Sequence, residues 1–191
     1  MKIRPLIVLM GMLAIPALVI AQQGFQITPA MQGEIDRQKE TVAHWAADPR
    51  VVSAVKEQNG RGPLPGMDNP RWKVTRRTDP LVKGFQGSAA GRFLRDRLDA
   101  SGGTFSEAFL NASRGEKVAF AEKTTSYIHK GQAKFDVPFA TGKPWQGKPE
   151  FDESSQTYAV QVAVPVLADG KPIGVLVMGI DLSHLEKVAR K

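Results

Sequence analysis

Residues Ser155 to Asp181, SQTYAVQVAVPVLADGKPIGVLVMGID, carry the clearest structural pattern of the chain. Its first half alternates larger apolar residues with small or polar ones, a period of two that is typical of a strand with one buried face. Asp169-Gly170 then forms a turn dipeptide that tolerates positive φ. The following run from Ile173 to Ile180 is apolar at nearly every position, as in a strand buried on both faces. The stretch therefore predicts a β-hairpin at the centre of a sheet. The alternating set is Tyr158, Val160, Val162, Val164 and Val166 against Ala159, Gln161, Ala163 and Pro165.

Asp181 ends the second predicted strand, and two interpretations of its carboxylate are open. It can cap a helix that runs from Leu182 to Arg190, or it can contact a ligand at the end of a buried strand. Ser183 and Glu186 match a capping box that would start the same helix without Asp181. That match favours the ligand role.

The first 21 residues have the pattern of an export signal. Lys2 and Arg4 form a charged start, Leu6 to Ile20 form an apolar core, and Ala21 ends a small-residue cleavage site. We therefore expect a secreted, periplasmic protein whose residues 22–191 form one domain. The alternative is an uncleaved signal that anchors the chain in the inner membrane, although the run is at the short edge of the about 20 residues that span a bilayer.

The composition restricts the function classes. The chain has no cysteine, which excludes disulfides and thiolate metal sites. Its formal charge is +7, or +5 without Lys2 and Arg4, which fits a surface that attracts anionic ligands. The basic residues are scattered and no nucleic-acid motif is present, so we expect no nucleic acid partner. No metal-ligand spacing, nucleophile motif or dinucleotide fingerprint is present, so we expect neither a cofactor nor enzymatic activity.

The order of predicted elements gives an α+β plan. Capping and proline signals predict a long N-terminal helix at about residues 28–58 that is kinked at Asp48-Pro49. A loop follows, with Trp72 as its expected anchor, and then a second helix from Pro80 to about Leu98. The period changes to that of strands near Thr104, so the sheet is expected at about residues 104–181.

A connection of about thirty residues, Lys123 to Ser154, separates the two predicted hairpins. A segment that long inside one compact domain is often functional, and this one combines aromatic residues with charges, as small-molecule pockets do. We expect its aromatic side chains to form walls and its lysines to bind an anionic group, with Asp181 as an acceptor. Core packing of Tyr127 and Trp145, and solvation of Lys134, are the alternatives. The predicted ligand-binding residues are Lys123, Tyr127, Lys134, Phe135, Trp145, Asp152 and Asp181.

The order of the predicted elements, together with several stretches of the sequence, resembles that of the extracytoplasmic Cache sensor domains. These domains are PAS-like and are also called PDC sensors. The likeness runs from about Ile27 to Glu186, and its most specific part is VAVPVLADGKPIGVLVMGIDLSHL; KTTSY and FDESS are similar to a stand-alone subgroup. The resemblance implies an antiparallel sheet of about five strands, with a long N-terminal helix and a second helix packed on it. It also implies a ligand pocket between the second and last strands.

In amino-acid-binding members of this family an aspartate at the end of the last strand receives the ligand's ammonium, and Asp181 matches that position. The family's Tyr-Arg-x-Trp pattern for the ligand carboxylate is replaced by TTSYIHK, with Tyr127 and Lys130. The resemblance therefore implies a sensor for an organic acid or amino-acid-like molecule that signals to a membrane-bound receptor, kinase or cyclase. The alternative is a ligand-free module for protein–protein interaction in the envelope.

Overall fold

The computed structural model describes residues 25–152 and 157–189. The predicted export signal, residues 1–21, lies outside these ranges. Within them, no helix is both long enough and apolar enough to cross a bilayer. The helices are α1 (Pro29–Ala46), α2 (Pro49–Arg61), α3 (Asn69–Val74), α4 (Pro80–Gly87), α5 (Ala89–Ala100), α6 (Ala133–Thr141) and α7 (Leu182–Ala189). The strands are β1 (Phe105–Ala112), β2 (Lys117–Phe120), β3 (Trp145–Gln146), β4 (Glu150–Asp152), β5 (Thr157–Ala168) and β6 (Lys171–Asp181).

The predicted central hairpin is confirmed. β5 and β6 pair antiparallel from Ala159 opposite Asp181 to Ala168 opposite Lys171. Asp169 and Gly170 turn the chain with positive φ angles of 51° and 74°. Positive φ at both central residues gives a tight turn whose twist matches that of the flanking strands.

The sheet has the order β2-β1-β6-β5-β3, and β4 also pairs with β5. All of its strand pairs are antiparallel. The predicted α+β fold with an antiparallel sheet is therefore confirmed, with six strands instead of about five. The difference arises because β3 and β4 are short strands within the predicted connection, where no alternating pattern is long enough to reveal them.

Each face of the sheet is covered by helices. On one face the valines of β5 pack with Ile35 and Val42 of α1 and Val55 of α2. On the other face, which we call the α6 face, a second cluster joins Trp72 of α3 to Phe135 of α6. Phe109, Ala163, Val175 and Val177 are the strand residues of that second cluster.

The long helices of the prediction are each divided in two. α1 ends at Ala46, and Asp48 caps α2 because its carboxylate accepts a 2.9 Å hydrogen bond from Arg50 N–H. Ser88 separates α4 from α5 in the same way, accepting a 2.9 Å hydrogen bond from Gly91 N–H. The predicted loop after α2 contains α3, where Trp72 is buried as the expected anchor.

Candidate functional site

Three residues form a row across three neighbouring strands on the α6 face. Glu107 of β1 and Gln161 of β5 each pair with Gly179 of β6, which lies between them. Strands are about 4.8 Å apart, so the outer two residues are about 10 Å apart and a central side chain would separate them. Gly179 has no side chain, and Gln161 Nε2 donates a 2.8 Å hydrogen bond to Glu107 Oε2.

A half-enclosed cleft of about 480 Å³ is lined by this row. Small-molecule sites are typically clefts of about 300–1,000 Å³ with a few polar groups on apolar walls. The cleft therefore has the size and composition of a metabolite site. Beside Glu107, Gly179 and Gln161, its lining residues are Trp145, Gly147, Lys148, Glu150, Phe151 and Ala159.

Two aromatic side chains form the walls of the cleft. Trp145 is half-buried in β3, and Gly147 holds the segment after it by donating a 2.8 Å backbone hydrogen bond to Gln161 O. Phe151 of β4 is 48% exposed, and its ring centroid lies 5.1 Å from that of Tyr158. An exposed large aromatic at a cleft is a typical feature of binding surfaces.

The cleft carries charges of both signs. Glu107 and Glu150 contribute carboxylates, and Lys148 contributes an ammonium. Carboxylates accept hydrogen bonds and ammonium groups donate them. The cleft is therefore suited to a small polar molecule that carries an amino or hydroxyl donor together with an acceptor.

A buried lysine, Lys117, lies on the face of the sheet that carries Phe109. Lys117 Nζ is 3.3 Å from the centroid of the Phe109 ring and has no hydrogen-bond partner among the described residues. Burial lowers the pKa of the Lys117 ammonium well below its ordinary value, Glu107 opposes this shift, and Lys134 adds to it. Glu107 thus connects the cleft electrostatically to Lys117.

His129 is a neutral neighbour of Lys117. Its ring centroid lies 4.7 Å from that of Phe109, and its Nδ1 lies 3.3 Å from Asn111 Nδ2. Because Asn111 Nδ2 is a donor, Nδ1 must be the acceptor nitrogen of a neutral ring. Burial, with Lys117 and Lys134 nearby, lowers the pKa of His129 to about 2, which agrees with this tautomer.

The cleft includes Trp145 and lies next to Asp181, and these are two of the predicted site residues. Asp181 pairs with Ala159, a lining residue, but its carboxylate accepts a 2.9 Å hydrogen bond from His184 N–H. The interpretation of Asp181 as a helix cap is therefore confirmed. The interpretation that starts the helix at Ser183 is wrong, because α7 begins at Leu182. Asp152 ends β4 beside the cleft, and its side chain lies outside the described part of the structure.

The other predicted residues lie outside the lining of the cleft. Tyr127 and Phe135 are buried in the second core cluster, and Tyr127 Oη accepts a 2.9 Å hydrogen bond from Leu64 N–H. Burial is the main cause that raises the pKa of Tyr127. Lys123 Nζ lies 4.8 Å from the Trp72 ring centroid, whereas Lys134 lies on the first turn of α6 near Lys117.

Sequence reasoning missed Glu107, Gly179, Gln161 and Lys117. Gln161 carried a signal, since it is the one strongly polar residue between Tyr158 and Val166. Gly179 interrupts an apolar run, and an isolated glycine in a strand often marks a close approach. Lys117 follows a turn and has the local pattern of a solvated lysine, so its burial could not be foreseen.

A second cleft of about 450 Å³ lies between α2 and α4. It is lined mainly by apolar groups, and its one charged residue, Arg61, lies 3.2 Å from Glu57 in an ion pair. Among the described residues no group of three histidine, aspartate or glutamate side chains is placed to hold a metal ion. The cleft over Gly179 therefore offers the richer polar chemistry.

Comparison with known proteins finds similarity to solved sensory domains. The sensory domain of the Campylobacter jejuni chemoreceptor Tlp3 with isoleucine bound is 15% identical at a TM-score of 0.44, over 87% of this chain and 69% of that one. The V. cholerae histidine kinase DctB sensor domain is 16% identical at a TM-score of 0.43, and the match covers 84% of this chain and 60% of that one. The ligand-binding domain of the Pseudomonas aeruginosa PAO1 chemoreceptor PctC, in complex with GABA, is 15% identical at a TM-score of 0.42. That match covers 82% of this chain and 63% of the solved one.

Searches with protein-family models and among curated proteins find no match. This chain spans between 60% and 69% of the length of the three solved chains described above. These three solved chains are sensory or ligand-binding domains of two chemoreceptors and a histidine kinase.

Proposed function

We propose that this chain is a periplasmic sensor domain that binds a small metabolite in the cleft over Gly179. The observation that carries the proposal is the row of Glu107, Gly179 and Gln161, in which the missing side chain of the glycine lets a hydrogen-bonded polar pair line an open cleft. A Cβ at position 179 would lie 2.9 Å from Ser106 Oγ and 3.1 Å from Glu107 Cβ and would disturb that pair. The row therefore combines an open volume with oriented donors and acceptors, as ligand sites require.

The ligand class follows from the groups that line the cleft. The carboxylate of Glu107 is suited to an ammonium or hydroxyl donor, and the ring of Trp145 is suited to an apolar body. An amino-acid-like molecule, or an organic acid that carries a hydroxyl group, has this combination. The same two classes are predicted from the sequence.

Binding reaches the rest of the chain through β6. Gly179 lies two residues before Asp181, which caps α7, so a ligand above the row lies next to the start of the last described helix. The walls Trp145 and Phe151 belong to two short strands at the edge of the sheet. Short edge strands have few backbone hydrogen bonds, so their movement onto a ligand is the natural closing motion. A membrane-bound receptor, kinase or cyclase would read this change.

A thermal-shift screen of the exported chain against amino acids, amines and organic acids tests the proposal. We expect one ligand class to raise the melting temperature by several degrees, because a ligand that binds only the folded state stabilises it. The Gln161→Leu variant should lose this shift and keep its fold, since leucine is close in size to glutamine. If no compound of the panel binds, the interaction module without a ligand becomes the better description.

A further inference from the structure

One part of the surface, which we call the basic face, carries seven basic residues and three acidic ones. The end of α3 and the residues just after it contribute Lys73, Arg76 and Arg77. The net formal charge of the face is +4, which is most of the +5 of the exported chain. The fold thus concentrates charges that are spread from residue 73 to residue 123 of the sequence. The other members are Lys83 of α4, Arg92 and Arg95 of α5, Lys123 after β2, and the acidic residues Asp79, Asp96 and Glu122.

Ion pairs and a shared cleft join these residues. Glu122 forms ion pairs with Arg77, at 3.5 Å, and with Arg95, so one carboxylate serves two guanidinium groups. Lys123 Nζ lies 4.8 Å from the Trp72 ring centroid. Burial lowers the pKa of the Lys123 ammonium, and the nearby Arg77 lowers it further. An open cleft of about 420 Å³ extends from Glu122 over α4 and α5. The charged residues that line it are Lys83, Arg92, Arg95, Asp96 and Glu122.

α3 presents an apolar side chain on this face. The helix is held in place by Trp72, which is buried and whose Nε1 donates a 2.9 Å hydrogen bond to Thr124 O. Asn69 Oδ1 also accepts a 2.9 Å hydrogen bond from Tyr127 N–H. Val74, at the end of α3, is 79% exposed, the largest value among the exposed large hydrophobic side chains of the described residues. Basic residues precede and follow it in the chain, so a fixed helix end carries an aliphatic group among cations.

We propose that the basic face docks the domain onto an anionic phospholipid surface, with Val74 at the point of contact. Such a surface attracts clustered lysine and arginine residues, and each one near the surface strengthens binding about fivefold. An apolar side chain among the cations adds a contact with the boundary between headgroups and acyl chains.

The scarcity of apolar groups on this face favours a lipid partner over a protein. Protein interfaces have an apolar core that is built from several residues. Among the described residues, Val74 is the one exposed large hydrophobic side chain on α3, α4 or α5. Binding through many cations and a single aliphatic group suits a charged lipid surface instead.

The basic face is separate from the proposed ligand site. None of its charged residues belongs to the lining of the cleft over Gly179. Docking would keep the sensor beside a membrane-bound partner, but it does not require that the cleft holds a ligand. The inference therefore goes beyond the function proposed above and is tested without a ligand.

Co-sedimentation with lipid vesicles tests the inference. The protein is the exported chain, residues 22–191, which contains every described residue and both core clusters. Vesicles of equal parts phosphatidylglycerol and phosphatidylcholine are compared with vesicles of phosphatidylcholine alone. We expect binding to the anionic vesicles only, and weaker binding at high salt because salt screens exposed charges.

Two double variants with the same change in net charge locate the contact. Lys73→Glu with Arg76→Glu changes the basic face and should lower the affinity for anionic vesicles at least about tenfold. Lys56→Glu with Lys143→Glu changes exposed positions outside that face and should alter the affinity less than about threefold. All four positions are exposed, so both proteins should keep the wild-type fold.

A single fluorescent label reports the apolar contact. The chain has no cysteine, so Val74→Cys provides one site for a fluorophore that is sensitive to its environment. We expect its emission to shift to the blue with anionic vesicles, because position 74 enters the lipid interface. The same label on Lys143→Cys should not shift.

Four results would overturn the inference. They are no binding to anionic vesicles, an equal loss of affinity in the two double variants, no response of the label at position 74 when vesicles are bound, and binding to soluble polyglutamate instead of vesicles. The last result would assign the basic face to an acidic protein. None of the four bears on the cleft over Gly179, which the ligand screen tests.

Discussion

Gln161 and Glu107 lie on strands that do not touch, yet their side chains meet in a 2.8 Å hydrogen bond over Gly179. The meeting depends on the missing side chain of the strand between them. The polar floor of the cleft is thus produced by a glycine, and substitution of that glycine should disturb the floor before it disturbs the fold.

Gly179→Ala should displace Glu107. A Cβ at this position would lie 2.9 Å from Ser106 Oγ and 3.1 Å from Glu107 Cβ, so both side chains must shift. We expect a loss of about 1 kcal/mol in the free energy of unfolding, and a shifted side-chain amide signal of Gln161 in NMR spectra. An unchanged Gln161 signal would show that the hydrogen bond does not depend on the glycine.

Gly91 and Gly84 form a matched pair on adjoining helices. A Cβ at Gly91 would overlap the carbonyl oxygens of Phe85 and Gln86, whereas one at Gly84 would meet open space. Gly91→Ala should therefore cost about 1 to 3 kcal/mol, and Gly84→Ala should stabilise by about 0.5 to 1 kcal/mol. Urea denaturation measures both, and equal effects would contradict the tight junction of α4 and α5.

His129 should make the protein acid-sensitive. Its folded pKa of about 2 is below the unfolded value of 6.5, so the unfolded state takes up the proton first. The stability that the neutral ring contributes is present above pH 6.5 and is lost as the pH falls toward the folded pKa. Between pH 7 and 5 the loss should be about 2 kcal/mol.

The His129→Gln variant isolates this effect. It should flatten the dependence of the unfolding free energy on pH between 7 and 5, because the titrating group is gone. His44→Gln, at an exposed position, is the control and should keep the wild-type dependence. If His129→Gln keeps the wild-type dependence of the unfolding free energy on pH, another titrating group causes the acid sensitivity.

Asp181→Ala should remove a helix cap. Loss of the hydrogen bond to His184 N–H should cost about 1 kcal/mol of unfolding free energy, and Asp181→Asn should recover most of it. We expect the affinity for a cleft ligand to stay within about twofold of wild type. A fall in affinity as large as that of Gln161→Leu would instead assign Asp181 the ligand contact that its place in the sequence predicts.

The parts of the fold that were predictable are those with a long periodic signal. The alternating valines of β5 and the Asp169-Gly170 turn determine the hairpin, because strand period and turn chemistry are local properties. The two-residue strand β3 has no period to detect. Ser88 falls inside one predicted helix because the apolar pattern continues across it. In the structure its hydroxyl accepts a hydrogen bond from Gly91 N–H and so begins a separate helix.

The site was less predictable because it depends on register. Trp145 was identified because an aromatic residue in a long connection stands out, but Glu107 and Gln161 lie more than fifty positions apart in the chain. Only their common pairing with Gly179 brings them together. The burial of Tyr127 likewise follows from its contacts with Trp72 and Phe85, which no local pattern shows.

Calorimetric titration of wild type and Glu107→Gln with the ligand class found in the screen shows whether a ligand binds in the cleft over Gly179. The substitution keeps the size of the side chain and its bond to Gln161, and removes the charge that faces the cleft. A ligand with an ammonium group should bind wild type and lose about tenfold or more in affinity to Glu107→Gln. Equal affinity for the two proteins would contradict binding in the cleft over Gly179.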